Sequence, residues 1–143
     1  FQLFPFVWSN TRECEENMTE ITIPICPRTK KNHSQVITVN GRPRVIPSKQ
    51  YTQFEKDCGA YINCKQLGID YPVNIKCVYF MDTKRKVDLI NLLGATMDIL
   101  VHYGVIADDN SKIAASHDGS RVDYDKDNPR TEITICGYEK EKE

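Results

Sequence analysis

KRKVDLINLLGATMDILVHYGVIADD, residues 84–109, decides how this chain is read. Three cationic side chains, Lys84, Arg85 and Lys86, run into Asp88 at the start of an apolar-periodic stretch. Leu89, Leu92, Leu93, Thr96, Ile99, Leu100 and Tyr103 recur every three or four positions, which predicts a helix from about Asp88 to Tyr103 with one buried stripe. Gly104 supplies its C-terminal stop. Val105 and Ile106 suit an extended, buried return, and Asp108 and Asp109 follow.

Elementary geometry ties the two ends of this stretch together. From Asp88 to Gly104 a helix carries the chain roughly 24 Å, at about 1.5 Å per residue. Residues 104–109, if extended antiparallel to the helix, retrace about 17 Å. Asp109 is therefore expected to return to within about one helical turn of Asp88. Asn91, three positions after Asp88, lies on nearly the same helix face and is placed to share a ligand with it. Carboxylates that hold a divalent cation beside positive charge are what phosphodiester cleavage requires.

Each of these residues also has an ordinary role. An Asp at a helix start accepts amide hydrogen bonds and complements the dipole. An Asp-Asp pair is often an acidic turn in water, although adjacent acids repel unless a cation or basic groups sit nearby. Asp98 lies about 15 Å along the helix from Asp88 and about 80° round it, so it is read as structural or supporting. Asp123-x-Asp125-x-Asp127 resembles the start of a calcium loop, but Asn128 stands where that loop needs Gly and Thr134 where it needs Glu. His33, His102 and His117 carry no triad signature, and the scattered glycines form no phosphate-cradling loop.

Outward from the core stretch, residues 72–80 read as a strand, with Val73, Ile75, Cys77 and Tyr79 alternating against polar positions. Ser48 is the expected N-cap of an earlier helix that runs to about Leu67 and stops at Gly68, with Tyr51, Phe54, Cys58, Tyr61 and Ile62 on one face. Residues 36–39 and 42–46 flank Asn40-Gly41, the signal for a tight hairpin, and Pro43 marks its second arm as an edge strand. Residues 19–25, 112–116 and 131–136 complete the strands. The expected fold is α+β, a small mixed β-sheet with two main α-helices packed on it. The domain spans residues 18–138, residues 1–17 reading as an upstream extension, disordered or non-native, and 139–143 as a charged tail.

The bulk numbers set limits. The 143 residues are enough for one domain with one core, and 40% hydrophobic with 27% charged content is ordinary for a globular protein. No apolar run reaches the roughly 20 residues of a membrane span, and the apolar start lacks the basic flank and cleavage site of a signal peptide. Six cysteines contain no Cys-x-x-Cys pair and no zinc-like His spacing. They read as reduced thiols among apolar residues, in a cytoplasmic chain. Net charge is −1, yet residues 28–49 hold Arg28, Lys30, Lys31, Arg42, Arg44 and Lys49 without one acid. Such an asymmetry permits a local anion-binding face, although a solvated loop and hairpin would carry the same charges.

Taken together these segments resemble the RusA-type Holliday junction resolvases of bacteria and their phages. The likeness rests on residues 87–93, on Met97-Asp98-Ile99-Leu100 and on Gly104-Val105-Ile106-Ala107-Asp108-Asp109, and it covers roughly residues 19–137. The N-terminal strand, its Pro-rich turn and Lys/Asn loop, and the closing strand from Arg130 also look similar. The resemblance implies a homodimeric, Mg2+-dependent endodeoxyribonuclease, with Mn2+ able to take the place of Mg2+, that cuts a four-way DNA junction by paired nicks. It implies no small-molecule cofactor and no membrane partner. By position, Asp88 matches the first catalytic acid and Asp109 the last, and both would bind the metal with Asp108 and Asn91 assisting. Lys30, Lys31, Asn32, Arg42, Arg44, Lys84, Arg85 and Lys86 are the expected DNA-binding positions. Two departures stand out: Ile90 replaces a second acid and Gly94 a lysine, so a catalytically impaired junction-binding protein is the competing expectation.

Overall fold

The computed structural model describes residues 18–30, 34–62 and 66–138. Lys31, Asn32 and His33, the upstream extension and the charged tail lie outside the described residues. Strand β1 is Thr19–Ile23, β2 is Ser34–Val39 and β3 is Arg42–Pro47; helix α1 is Lys49–Ile62. Strand β4 is Val73–Met81, α2 is Leu89–His102, and β5 (Ala114–Ser116), β6 (Arg121–Tyr124) and β7 (Arg130–Gly137) close the chain.

Strand β4 is central because it can be buried along its length: Val73, Ile75, Cys77 and Tyr79 are all within the core. It pairs antiparallel with β7, which pairs antiparallel with β1. On its other edge it pairs parallel with β5 at Val73–Asn74 and with β6 at Val78–Met81. The sheet is therefore mixed, as the sequence pattern predicts. Register places Ile21, Ile133 and Cys77 in one row and Ile23, Thr131 and Tyr79 in the next. This side chain layer joins one core cluster with Tyr51, Phe54, Cys58 and Ile62 of α1 and Leu92, Ala95, Met97, Ile99 and Leu100 of α2. Among the described residues no helix is long and apolar enough to cross a membrane.

Helix α1 begins where local chemistry dictates. Ser48 Oγ accepts the Tyr51 N–H at 3.2 Å, the N-cap its position predicts. The helices then approach closely: a Cβ on Gly59 would lie 2.7 Å from the Tyr103 ring, whose hydroxyl donates to the Glu55 carbonyl at 2.7 Å. Gly104, at φ 75°, turns the chain out of α2. Burial pushes the Cys58 and Cys77 thiols up to about 12, so both stay protonated at neutral pH and behave as small apolar groups.

Two expectations are corrected. Helix α1 ends at Ile62, and Gln66 and Leu67 are not helical. Gly68 does not stop a helix; its N–H bonds to the Gly104 carbonyl and the Ile69 N–H to Val105, so backbone pairing claims this segment. Strand β6 has no counterpart in the sequence reading, because Arg-Val-Asp-Tyr is exposed throughout and forms its strand by pairing with β4. The strand expected at residues 112–116 starts only at Ala114, since the Asn110 carbonyl draws the Ile113 and Ala114 N–H groups into a turn.

One polar chain crosses the core. Thr96 Oγ1 donates to the Leu92 carbonyl at 2.9 Å, so the Tyr79 hydroxyl, 2.6 Å away, donates to Thr96 Oγ1. Burial raises the Tyr79 hydroxyl pKa well above the ordinary tyrosine value, which keeps that donor in place. Removing the two ends of this bond has unequal cost. Tyr79→Phe leaves Thr96 satisfied and should cost about 1 kcal/mol, whereas Thr96→Val strands a buried hydroxyl and should cost about 1–3 kcal/mol. Urea unfolding of both variants measures this; an equal or reversed order would contradict the bond.

Candidate active site

Asp88 is the residue before α2, with extended backbone at φ −83° and ψ 119°. Its side chain makes no capping hydrogen bond to the helix, so of the two ordinary roles of an Asp here only its charge against the helix dipole remains. One carboxylate oxygen, Oδ2, instead accepts the Asn91 side-chain amide at 3.2 Å. The first N–H groups of α2 are consequently uncapped and carry the positive end of the helix dipole. An exposed carboxylate, open amides and the exposed side chains of Lys84, Arg85 and Lys86 thus share one end of α2.

The other acidic group follows α2. Val105 and Ile106 are buried, Ile106 bridges Ile69 in a parallel sense, and the Ala107 N–H bonds to the Ile69 carbonyl. The segment is buried as expected, and its bonds to Ile69, with that of the Val73 N–H to the Ile113 carbonyl, hold residues 105–113 beside the start of β4. The chain then enters the loop before β5, where Asp108 organises its neighbours. Its Oδ1 accepts the Asp109 N–H at 2.9 Å and its Oδ2 accepts the Asn110 side-chain amide at 2.7 Å. Both oxygens are engaged, and these bonds hold the Asp108 carboxyl below the usual carboxylate range. Asp109 is exposed. Asn110, whose Oδ1 also accepts the Lys112 N–H, was not singled out from sequence, although Asp-Asp-Asn is a composition that favours such side-chain turns.

Asp98 is held by Lys30, Nζ to Oδ2 at 3.1 Å, which agrees with a structural role. The same Lys30 ammonium lies 5.7 Å from the Tyr51 ring centre. Lys30 therefore ties the β1–β2 connection to both helices, through a half-exposed ion pair worth about 0–1 kcal/mol. Lys84 lies 5.1 Å over the Tyr124 ring of β6, a platform that sequence reading missed along with that strand. Arg42 and Arg44 are exposed on β3. Asp125 of the calcium-like run pairs with Arg130 at 2.9 Å, and Arg130 in turn stacks 3.8 Å from the Phe80 ring centre.

The donor set suits a hard cation. Asp88, Asp109 and Asn91 offer oxygen, the ligand Mg2+ prefers, while the Cys58 and Cys77 thiols are buried and protonated. Among the described residues no three His, Cys, Asp or Glu side chains gather closely enough to hold a metal. Mg2+ commonly binds through one or two carboxylates and keeps several waters, so these residues would suffice to hold it. Ile90 is 80% exposed in the first turn of α2, and a side chain on Gly94 would meet nothing within 4 Å. Neither position supplies charge, and neither is needed for the core.

Residues 24–136 match the family model of endodeoxyribonuclease RusA, and the chain belongs to that family. No curated protein matches it.

The Asp108 carboxyl should titrate below an ordinary aspartate in a carbon-detected NMR titration. Its folded pKa is lowered, so the stabilisation it gives the loop is present at neutral pH and is lost as pH falls through that value. Asn110→Ala should move the Asp108 midpoint upward. An unshifted midpoint in that variant would show that the loop is not organised by this bond.

Proposed function

We propose that this member of the RusA family is a Mg2+-dependent, structure-specific endodeoxyribonuclease that resolves four-way DNA junctions by paired nicks, one from each subunit of a homodimer. The observation that carries this reading is the uncapped, exposed Asp88 carboxylate beside the basic run at the start of α2.

Asp88 and Asp109 hold the cation, with Asn91 orienting Asp88 and Asp108 presenting Asp109. When bound, Mg2+ supplies a more acidic water and neutralises charge developing on the scissile phosphate, and Mn2+ can serve in its place. Lys84, Arg85, Lys86 and the open amides of α2 steady that phosphate over the carboxylates. Arg42, Arg44, Lys30, Lys31 and Asn32 contact the backbone of the junction arms. Such contacts select shape and charge, since phosphates carry no base identity. Lys30 can join them cheaply, because its pairing with Asp98 is weak and half exposed.

A second reading, a protein that binds branched DNA without cutting it, draws on Ile90 and Gly94. Position 90 is solvent-facing two residues from Asp88 and supplies no oxygen, and position 94 supplies no cation. The space at both permits a direct test.

With a labelled four-way junction and Mg2+, the wild type should nick symmetrically. Asp88→Asn should retain the band shift and lose nicking by at least about 100-fold, the scale of removing a positioned charge. Retained cleavage would remove Asp88 from the site. A wild type that shifts the junction without nicking it, while Ile90→Asp/Gly94→Lys gains nicking, would establish the second reading instead.

A further inference from the structure

Strand β6 adds no residue to the core cluster, and Tyr124 at its end is 40% exposed. The register says which way that ring faces. In the parallel ladder between β4 and β6, Tyr79 pairs with Val122 and Met81 with Tyr124. Side chains alternate along a strand, so Tyr124 shares the face of Tyr79, whose hydroxyl bonds to Thr96 of α2. Tyr124 therefore lies on the helix side of the sheet, at the end where both parallel strands finish and the chain leaves for α2. Met81, Val87 and Leu89 all pack against the core cluster, which keeps the start of α2 close to the end of β4.

Lys84 stands in that connection, four residues before Asp88 and so within about 14 Å of it along the chain. Its ammonium lies 5.1 Å from the centre of the Tyr124 ring. Acids flank the ring in sequence, yet each has its own arginine. Asp123 has Arg121 at 3.9 Å, and Asp125 has Arg130 at 2.9 Å. Among the described residues, Lys84 thus has an aromatic partner and no carboxylate. The difference is chemical. A carboxylate offsets a lysine's charge, as Asp98 does for Lys30. A ring attracts the ammonium through its quadrupole, leaves the charge whole and leaves N–H groups free to donate. Arg85 and Lys86, the neighbouring cations, have no ion pair or ring contact among the described residues.

We propose that Tyr124 is a positioning residue, holding the Lys84 ammonium where it meets the scissile phosphate as negative charge develops there. This rests on the nuclease reading above and names the cation which that reading uses. A cation fixed in advance stabilises developing charge without reorganising, whereas an unheld lysine must first be ordered. Tyr124 acts only through Lys84 and touches no reacting atom. A ring is therefore all that position 124 requires, and its hydroxyl is dispensable.

Nicking of a labelled four-way junction under single-turnover conditions with Mg2+ tests this, read beside the dissociation constant. Tyr124→Phe should nick at the wild-type rate. Tyr124→Leu should slow nicking by about 2- to 30-fold, the range a cation–π contact spans from an exposed to a desolvated site, with the dissociation constant unchanged. In the Lys84→Ala background, Tyr124→Leu should slow nicking no further. The contact itself is read on the free protein by NMR: the Lys84 side-chain methylene signals next to the ammonium should be shifted upfield by the ring in wild type and Tyr124→Phe, and not in Tyr124→Leu. A wild type that never nicks would overturn the nuclease reading and this role with it. A nicking wild type would leave that reading standing and overturn this role alone under any of three results: Tyr124→Leu nicks normally, Tyr124→Phe is as slow as Tyr124→Leu, or the Tyr124→Leu loss persists in full without Lys84.

Discussion

Everything about the site depends on how α2 is held against β4. The apolar stripe of Leu92, Ala95, Ile99 and Leu100 drives the helix onto the sheet, but burial alone tolerates sliding and rotation. The Tyr79–Thr96–Leu92 hydrogen-bond chain does not. It fixes both the height and the rotation of α2, since a buried hydroxyl without its partner costs about 1–3 kcal/mol. Tyr103 adds a second fixed point at the far end, wedged against Gly59 and bonded to Glu55. Between them these contacts determine where Asp88 and the start of the 104–109 return come to lie.

Which acids can do chemistry follows from which are already engaged. Asp98 is paired with Lys30, Asp108 binds Asp109 and Asn110, and Asp125 belongs to the Arg130 cluster. Asp88 accepts one amide through Oδ2 and is exposed, as is Asp109. A helix start normally uses an Asp to satisfy its own amides. Here it does not, and the carboxylate and the amides both remain open to solvent. The proposed function uses both, with a cation on the carboxylate and a phosphate on the amides.

Much of this was legible in the chain. The stripe from Leu89 to Tyr103, the alternation of β4 and the Asn-Gly turn each impose a single period, and each element formed where that period placed it. The buried return at Val105 and Ile106 followed from two β-branched residues after a helix stop. Hidden from sequence was whatever depends on a partner far along the chain. Strand β6 has no buried face and exists through pairing with β4, so no periodicity announces it. Gly68 looked like a helix stop because its use, a backbone bond to Gly104, lies 36 residues away. Lys30 looked like a free cation because Asp98 and Tyr51 meet it only in three dimensions. For the site, residue types and spacing put Asp88 and Asp109 forward with Asp108 assisting, but the bonds of Asp108 to the Asp109 N–H and the Asn110 amide are visible only in the structure.

The central claim is that Asp88 and Asp109 share one cation, and paramagnetic relaxation by Mn2+ tests it most directly. Substoichiometric Mn2+ should broaden the amide and carboxyl signals of Asp88, Asn91 and Asp109 together, and Asp88→Asn should abolish the broadening at Asp109 as well. Broadening confined to one of the two loops, or persisting at Asp109 in the Asp88→Asn variant, would contradict a shared ion.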